Sequence, residues 1–333
     1  MRVLQKNNTC ITLQGGRIVP TLLLWVSFIT ASLLAPVYVF AQPFPSKPIR
    51  LVITFPVGSS TDAQARIFGP SLSERWKQQV VVDSRPGATT VVGTEIVAKS
   101  PPDGHTLLFT SIQYSYAPAL YAKLPYDPIN DLIPIAIVSF SPDCIVSHPS
   151  LPVKNIKELI ALARSRPLNM GTPGNDLTTR YFNQRAKVNL TPVTYKGGAP
   201  MMIDVMGGHV ELGIAGVITL QNAIRTQRVR LIGIASPRKS LIFPDAALIP
   251  TDLPGFQILS WWGIFAPANT PKDVVARIRD DITSVMQNPT IRERIIDIGG
   301  EPGGEAIGDF AIHVRNEIAH WQKIGKEAGI QPQ

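Results

Sequence analysis

From Ile49 onward, short apolar runs alternate with stretches whose apolar residues fall at helical spacing. Residues 49–54 form a β-branched run and residues 55–61 a loop of proline, glycine and serine; residues 62–76 carry Ala65, Phe68, Leu72 and Trp76 on one helical face. A second strand is predicted over 79–83, a turn at Arg85-Pro86-Gly87, a helix over 91–99 and a third strand over 106–110. Asn155, with Glu158 three residues on, predicts the start of a helix over 156–164 whose apolar stripe is Ile156, Leu159, Ile160 and Ala163. Thr270, Pro271 and Asp273 open another, with Val274, Val275, Ile278 and Ile282 toward a core. The last helix, over 309–327, buries Phe310, Val314, Ile318, Trp321 and Ile324. Strands alternating with helices from end to end predict an α/β fold of mainly parallel sheets with helices on both faces.

Residues 1–41 break this pattern. Arg2, Lys6 and Arg17 are their only charges, and an apolar run follows over 18–41. The run ends in Val39-Phe40-Ala41, with small residues at the two positions a signal peptidase reads, so an export signal cleaved after Ala41 is expected, and with it a periplasmic location. The alternative is an uncleaved anchor, since ~20 apolar residues span a bilayer; Pro20 and Pro36 near the ends of the run fit a signal better. Every later apolar run is broken by charge within about ten residues.

The 333 residues are 44% hydrophobic and 17% charged, too apolar for disorder and enough for two packed lobes. Loss of the leader lowers the formal net charge of +8 by three, to +5. The remaining basic residues are scattered, with no Lys/Arg block and no interleaved aromatics, which argues against a nucleic-acid partner and leaves a surface mildly favourable to anions. Cys10 lies in the leader, so Cys144 stands alone in the mature chain and no intramolecular disulfide is available. No cysteine at the cleavage point carries a lipid.

Catalytic motifs are missing from the sequence. His105, His148, His209, His313 and His320 stand singly, without HExxH or HxH spacing, and no G-x-S-x-G elbow, P-loop or G-x-G-x-x-G occurs. Cys144 lacks a basic neighbour and reads as buried filler. The expectation is a protein with no catalytic residue and no metal site.

What recurs is a loop of small and hydroxyl residues after a strand and before a helix. Phe55-Pro56-Val57-Gly58-Ser59-Ser60-Thr61-Asp62 is the first, Thr110-Ser111-Ile112-Gln113 the second and Gly171-Thr172-Pro173-Gly174-Asn175-Asp176 the third. Free N–H groups converge at a helix N-terminus, its dipole favours negative charge, and open α/β sheets bind ligands at the carboxyl ends of their strands. A small carboxylate suits all three loops. The candidate ligand-binding residues are therefore Phe55, Gly58, Ser59, Ser60, Thr61, Asp62, Ser111, Gln113, Thr172, Asn175 and Asp176. The plainer alternative for a single loop is that Ser60, Thr61 and Asp62 merely cap a helix.

These loops also carry a family resemblance, which continues through Pro45-Ser46-Lys47-Pro48-Ile49-Arg50, Arg85-Pro86-Gly87-Ala88, Pro102-Asp103-Gly104-His105-Thr106-Leu107 and Leu124-Pro125-Tyr126-Asp127-Pro128. Further on come Thr194-Tyr195-Lys196-Gly197-Gly198-Ala199-Pro200, Asp204, Gly207-Gly208, Leu253-Pro254-Gly255-Phe256 and Trp261-Trp262-Gly263-Ile264-Phe265-Ala266-Pro267. In these the chain resembles the Bug-type (TctC-like) extracytoplasmic receptors of tripartite tricarboxylate transporters. The resemblance implies a two-lobed periplasmic binding protein of type II, a Venus flytrap, with a first lobe over 42–143 and 263–333 and a second over 144–262. It adds Thr178 and Tyr195 to the ligand-binding residues and implies a monomer that needs no cofactor and delivers an organic acid, amino acid or pyridine carboxylate to membrane permease subunits. Lys196 is a candidate for direct contact, and Trp261 and Trp262 are expected to pack between lobes.

Two departures from the family stand out. Ser59-Ser60 replace a usual Gly-Gly, and Asp176 stands where the third loop usually has Gly. Asp176 either caps the next helix or faces the cleft, where it would pair with an amine of the ligand. Rival functions are a ligand-binding input to a signalling kinase and an enzyme acting on organic acids.

Overall fold

The computed structural model describes residues 44–303 and 309–333; the export signal expected over 1–41 lies outside them. β1 (Ile49–Ile53), α1 (Ser60–Trp76), β2 (Val80–Ser84), α2 (Val91–Ala98) and β3 (Thr106–Ser111) fall within two residues of the predicted bounds, and α3 (Gln113–Leu120) follows. β4 (Leu132–Ser147) then runs for 16 residues, about 50 Å at the usual strand rise. It leads into α4 (Ile156–Ser165), β5 (Asn169–Pro173), α5 (Leu177–Ala186), β6 (Thr191–Tyr195), α6 (Gly198–Gly207), β7 (Leu212–Gly216), α7 (Val217–Arg225) and β8 (Arg230–Ile234). A short α8 (Ile249–Asp252) precedes β9 (Leu259–Pro267), and α9 (Lys272–Gln287), α10 (Pro289–Asp297), β10 (Glu301–Pro302) and α11 (Phe310–Glu327) complete the described chain.

The strand order is β2-β1-β3-β9-β4-β7-β5-β6, with β8 and β10 also paired to β4. Pairing is parallel where strand, helix and strand succeed one another: β1 with β2 and β3, and β5 with β6 and β7. It is antiparallel wherever β4 or β9 takes part. The mainly parallel sheets expected from the alternation thus form the two flanks, and an antiparallel centre joins them. Apolar periodicity reports that a strand is buried; its direction depends on the path by which the chain returns.

β4 changes partner at Pro142 and Asp143. Leu132 to Pro142 pair with β9, Pro142 facing Leu259, and Asp143 to Ser147 pair with β7, Asp143 facing Gly216. Beyond Pro142 the Asp143 N–H still reaches the Ile258 carbonyl at 2.9 Å, just ahead of β9, and the same strand then enters the second half-sheet. β4 and β9 are the centre from which both halves extend.

Helices cover each half on two faces. Ile49, Leu51, Ile53 and Phe109 pack against Phe68 and Leu72 of α1 and Ile278 and Ile282 of α9. On the opposite face Val52 and Leu108 belong to a core shared with Leu159 of α4, Phe182 of α5 and Trp321 of α11. Met201 and Val205 of α6 and Leu220 of α7 cover Val146 and Ile234 in the second half. Each such side chain stabilises the fold by about 1.5–3 kcal/mol, and Leu72→Ala, which leaves a hole, costs roughly 2–5 kcal/mol.

Local signals act largely as expected. Asn155 Oδ1 accepts the Glu158 N–H at 3.0 Å, while the Glu158 carboxylate receives the Lys154 N–H at 2.8 Å in place of the Asn155 N–H. Asp309 Oδ1 accepts from the N–H groups of Ala311 and Ile312. Trp261 is fully buried against Phe265 and Phe310. Cys144 is fully buried on β4, and burial raises its thiol pKa well above the usual value.

Candidate functional site

A cavity of about 310 Å³ lies between the half-sheets, with Asp143 of β4 and Ser260 and Trp262 of β9 in its wall. That volume is at the small end of ligand sites. The N-terminal ends of five helices reach it: Ser60 and Thr61 of α1, Gln113 of α3, Asn175 and Thr178 at α5, Gly198 and Ala199 of α6, and Ile218 and Thr219 of α7. Two come from the first half-sheet and three from the second. The first N–H groups of a helix have no intrahelical acceptor, and together with the dipole they favour an anion.

The α1 end shows how the sequence builds this. Ser59 is the cap, its Oγ accepting the Asp62 N–H at 3.2 Å. Asp62 is buried and folds back, accepting the Gly58 N–H at 3.0 Å and Arg66 Nε at 3.0 Å. Burial alone would raise the Asp62 pKa; the bonds from Arg66 and Gly58 outweigh it and hold the pKa below the ordinary value. Trp262 Nε1 donates to Thr61 Oγ1 at 3.0 Å and fixes the first turn of α1 to β9. Trp262 therefore lines the cavity as well as packing beside it.

Of the residues expected to bind ligand, Phe55, Gly58, Ser59, Ser60 and Thr61 line the cavity from one side. Ser111 and Gln113 line it beside them, and Asn175 and Thr178 face them from the second half. Lys196 also lines it and is exposed.

Four candidates lie elsewhere, each held by an internal partner. Asp62 turns to Arg66 and Gly58, as described. Thr172 is buried and its hydroxyl donates to the Asn175 carbonyl. Tyr195 donates to Asp204 Oδ2 at 2.7 Å, and burial, with the Asp204 carboxylate, pushes its pKa up to about 12. Asp176 occupies the N-cap position of α5 but its side chain makes no cap bond and lies outside the cavity: it pairs with Arg180 Nε at 2.7 Å, four residues on, and lines a separate depression with Thr89 and Tyr121. The Leu177 N–H is taken instead by Asn175 Oδ1 at 3.0 Å.

The acid that does line the cavity is Asp143. Ser260 Oγ donates to its Oδ1 at 2.7 Å, so the two central strands meet here through side chains. Burial pushes the Asp143 pKa up to about 7, moderated by the Ser260 bond. Tyr116 of α3 stands in the same wall, its phenol pKa raised well above the usual value by burial and then by the Asp143 charge.

Sequence reasoning missed Asp143, Ser260, Tyr116 and the whole α7 end. Asp143, in a stretch that also holds Ser139, Ser141 and Pro142, carried no usable local signal. Ser260, a serine before two tryptophans, carried none.

Residues 64–330 match the family described as tripartite tricarboxylate transporter family receptor. A protein encoded in the tcbD-tcbE intergenic region of Pseudomonas sp. strain P51 is 34% identical over 84% of this chain and 86% of its own length. Among solved structures, an R. palustris protein with adipate is 30% identical with a TM-score of 0.81, over 87% of this chain and 100% of that one. MatC from Rhodopseudomonas palustris with bound malate is 27% identical with a TM-score of 0.79, over 85% of this chain and 100% of that one.

Proposed function

Because the chain belongs to the family of tripartite tricarboxylate transporter receptors, we propose that it is a periplasmic solute-binding receptor that captures a small carboxylated molecule and presents it to a membrane permease. The observation that carries this reading is the convergence of five helix N-termini, from both half-sheets, on one cavity of ligand size. Backbone N–H groups there receive the carboxylate, and the small residues Gly58, Ser59, Ser60, Gly197 and Gly198 let it approach. The adipate and malate bound by the two R. palustris proteins support the ligand class.

The lobes of this reading are residues 42–143 with 263–333, and residues 144–262. A ligand bridging them adds contacts that only the closed form makes, so it shifts the population toward closure, and the closed monomer docks to the permease. Binding and release complete the task without a chemical step.

The test is the melting temperature of the exported protein against mono- and dicarboxylates, amino acids and pyridine carboxylates. A ligand that binds only the native state raises stability by RT ln(1 + [L]/Kd), about 2.7 kcal/mol at a hundredfold excess over Kd. A rise of several degrees with one class, and recovery of the acid unchanged, is the expected result. No rise with any carboxylate, or turnover of a bound acid, would overturn the reading.

A further inference from the structure

Among the described residues lining the cavity, Asp143 is the only acid and Lys196 the only cation. Asp143 is 5% exposed. Among the described residues Ser260 Oγ is its one side-chain donor, and no lysine, arginine or histidine pairs with it. The Ser260 proton is used in that bond, so the hydroxyl holds the carboxyl in place as an acceptor and leaves Oδ2 without a partner. A buried carboxylate with no counter-charge is costly, and closure around a ligand that brought none would remove the remaining water from it. The neighbouring wall carries Tyr116 and Trp262, both largely buried, so neither brings a charge to offset the carboxylate.

The cavity thus has two unlike recognition elements. Helix N-termini favour an anion, and the unpaired Asp143 carboxyl favours a cation. Asp176, the acid whose position in the sequence first suggested such a role, is already matched by Arg180 outside the cavity.

We propose that Asp143, braced by Ser260, sets the ligand class: it receives a protonated nitrogen, so that the molecule captured is a carboxylate that also carries an amine or a protonated ring nitrogen. This rests on the receptor reading above and narrows it.

The experiment is calorimetric titration of the exported protein with matched sets of four to six carbons: the plain monocarboxylate, the dicarboxylate and the ω-aminocarboxylate, with aspartate, glutamate and nicotinate alongside. The expected result is at least about tenfold tighter binding of a nitrogen-bearing member than of its plain partner, with the preference abolished in Asp143→Asn and reduced in Ser260→Ala. A second readout needs no variant. An ammonium group beside Asp143 favours the ionised carboxyl, so binding near pH 7 releases protons, measured in buffers of unlike ionisation enthalpy. A neutral Asp143 donating to a second ligand carboxylate would take protons up instead. Tyr116 and Cys144, the titratable neighbours, have pKa values raised well above this range, and Lys196 is exposed. Tighter binding of the dicarboxylate, a preference that survives in Asp143→Asn, or proton uptake overturns this proposal while leaving the receptor reading intact. Failure of every carboxylate to bind overturns both.

Discussion

Gln113 Nε2 donates to the Pro173 carbonyl at 3.0 Å, joining the first turn of α3 to the end of β5 across the cavity. The two residues belong to different half-sheets, so this bond exists only while the halves are close. Gly174 makes room for it: its φ is +88°, and an added Cβ would lie 2.5 Å from Gln113 Oε1. Gln113→Ala should remove about 0.5–1.5 kcal/mol from the closed form, weakening ligand binding roughly two- to tenfold. Gly174→Ala, which adds backbone strain, should weaken it further. Calorimetric titration of both variants checks this; unchanged affinity in both would mean that the bond does not contribute to closure.

Gly198 opens α6 in the cavity wall, and a Cβ there would lie 2.2 Å from Thr219 Cγ2. Gly198→Ala should displace the α6 N-terminus and weaken binding by about tenfold or more, while the core beneath it keeps the melting temperature within a few degrees. Thr219→Ser deletes the clashing methyl, so the double variant should recover much of the affinity, a non-additivity expected of residues in contact.

Asp281 of α9 is buried and accepts from Trp76 Nε1 at 2.8 Å, from Arg277 Nε at 2.6 Å and from Arg75. Burial alone would raise its pKa; these bonds hold it below 3.8. Asp281→Asn should cost about 2 kcal/mol, less than a fully buried pair because both arginines are partly exposed. A depressed carboxylate pKa contributes stability above its unfolded value and loses it as pH falls through the folded one. Urea unfolding of the two proteins should therefore converge below about pH 3.8, and ligand affinity should be unaltered.

Asp143 has the opposite sign. Its pKa is raised from 3.8 to about 7, so the folded state holds a proton that the unfolded chain has released. Stability of the ligand-free protein should fall as pH rises from about 4 to 7, by roughly 4 kcal/mol at most from this group. Asp143→Asn should lack that decline. Urea titration across the window measures it, and parallel pH profiles for the two proteins would refute it.

Cys144 should resist alkylation by iodoacetamide in the native protein and react once in denaturant, because only an accessible thiolate is nucleophilic. Mass spectrometry reads this directly.

Local chemistry wrote much of this fold into the sequence. The apolar spacing through Phe68, Leu72 and Trp76 marks a helix face because side chains three to four apart share one side of it. Asn155 marks a helix start because its oxygen reaches a nearby N–H, and the loops at Ser59, Gln113 and Asn175 mark helix ends with open N–H groups. Eight of the nine candidate residues that line the cavity belong to those loops, and Thr178 came from the family resemblance.

Tertiary structure decided the rest, because it depends on pairings between residues far apart in the chain. Side-chain partners chose which loop residues turned inward: Arg66 took Asp62, Arg180 took Asp176 and Asp204 took Tyr195. The antiparallel centre follows from where β4 and β9 meet. That meeting also brings Asp143 against Ser260, 117 positions away. A carboxyl's charge state depends on its water and its neighbours, so the acid that matters in the cavity was legible only once the two strands lay side by side.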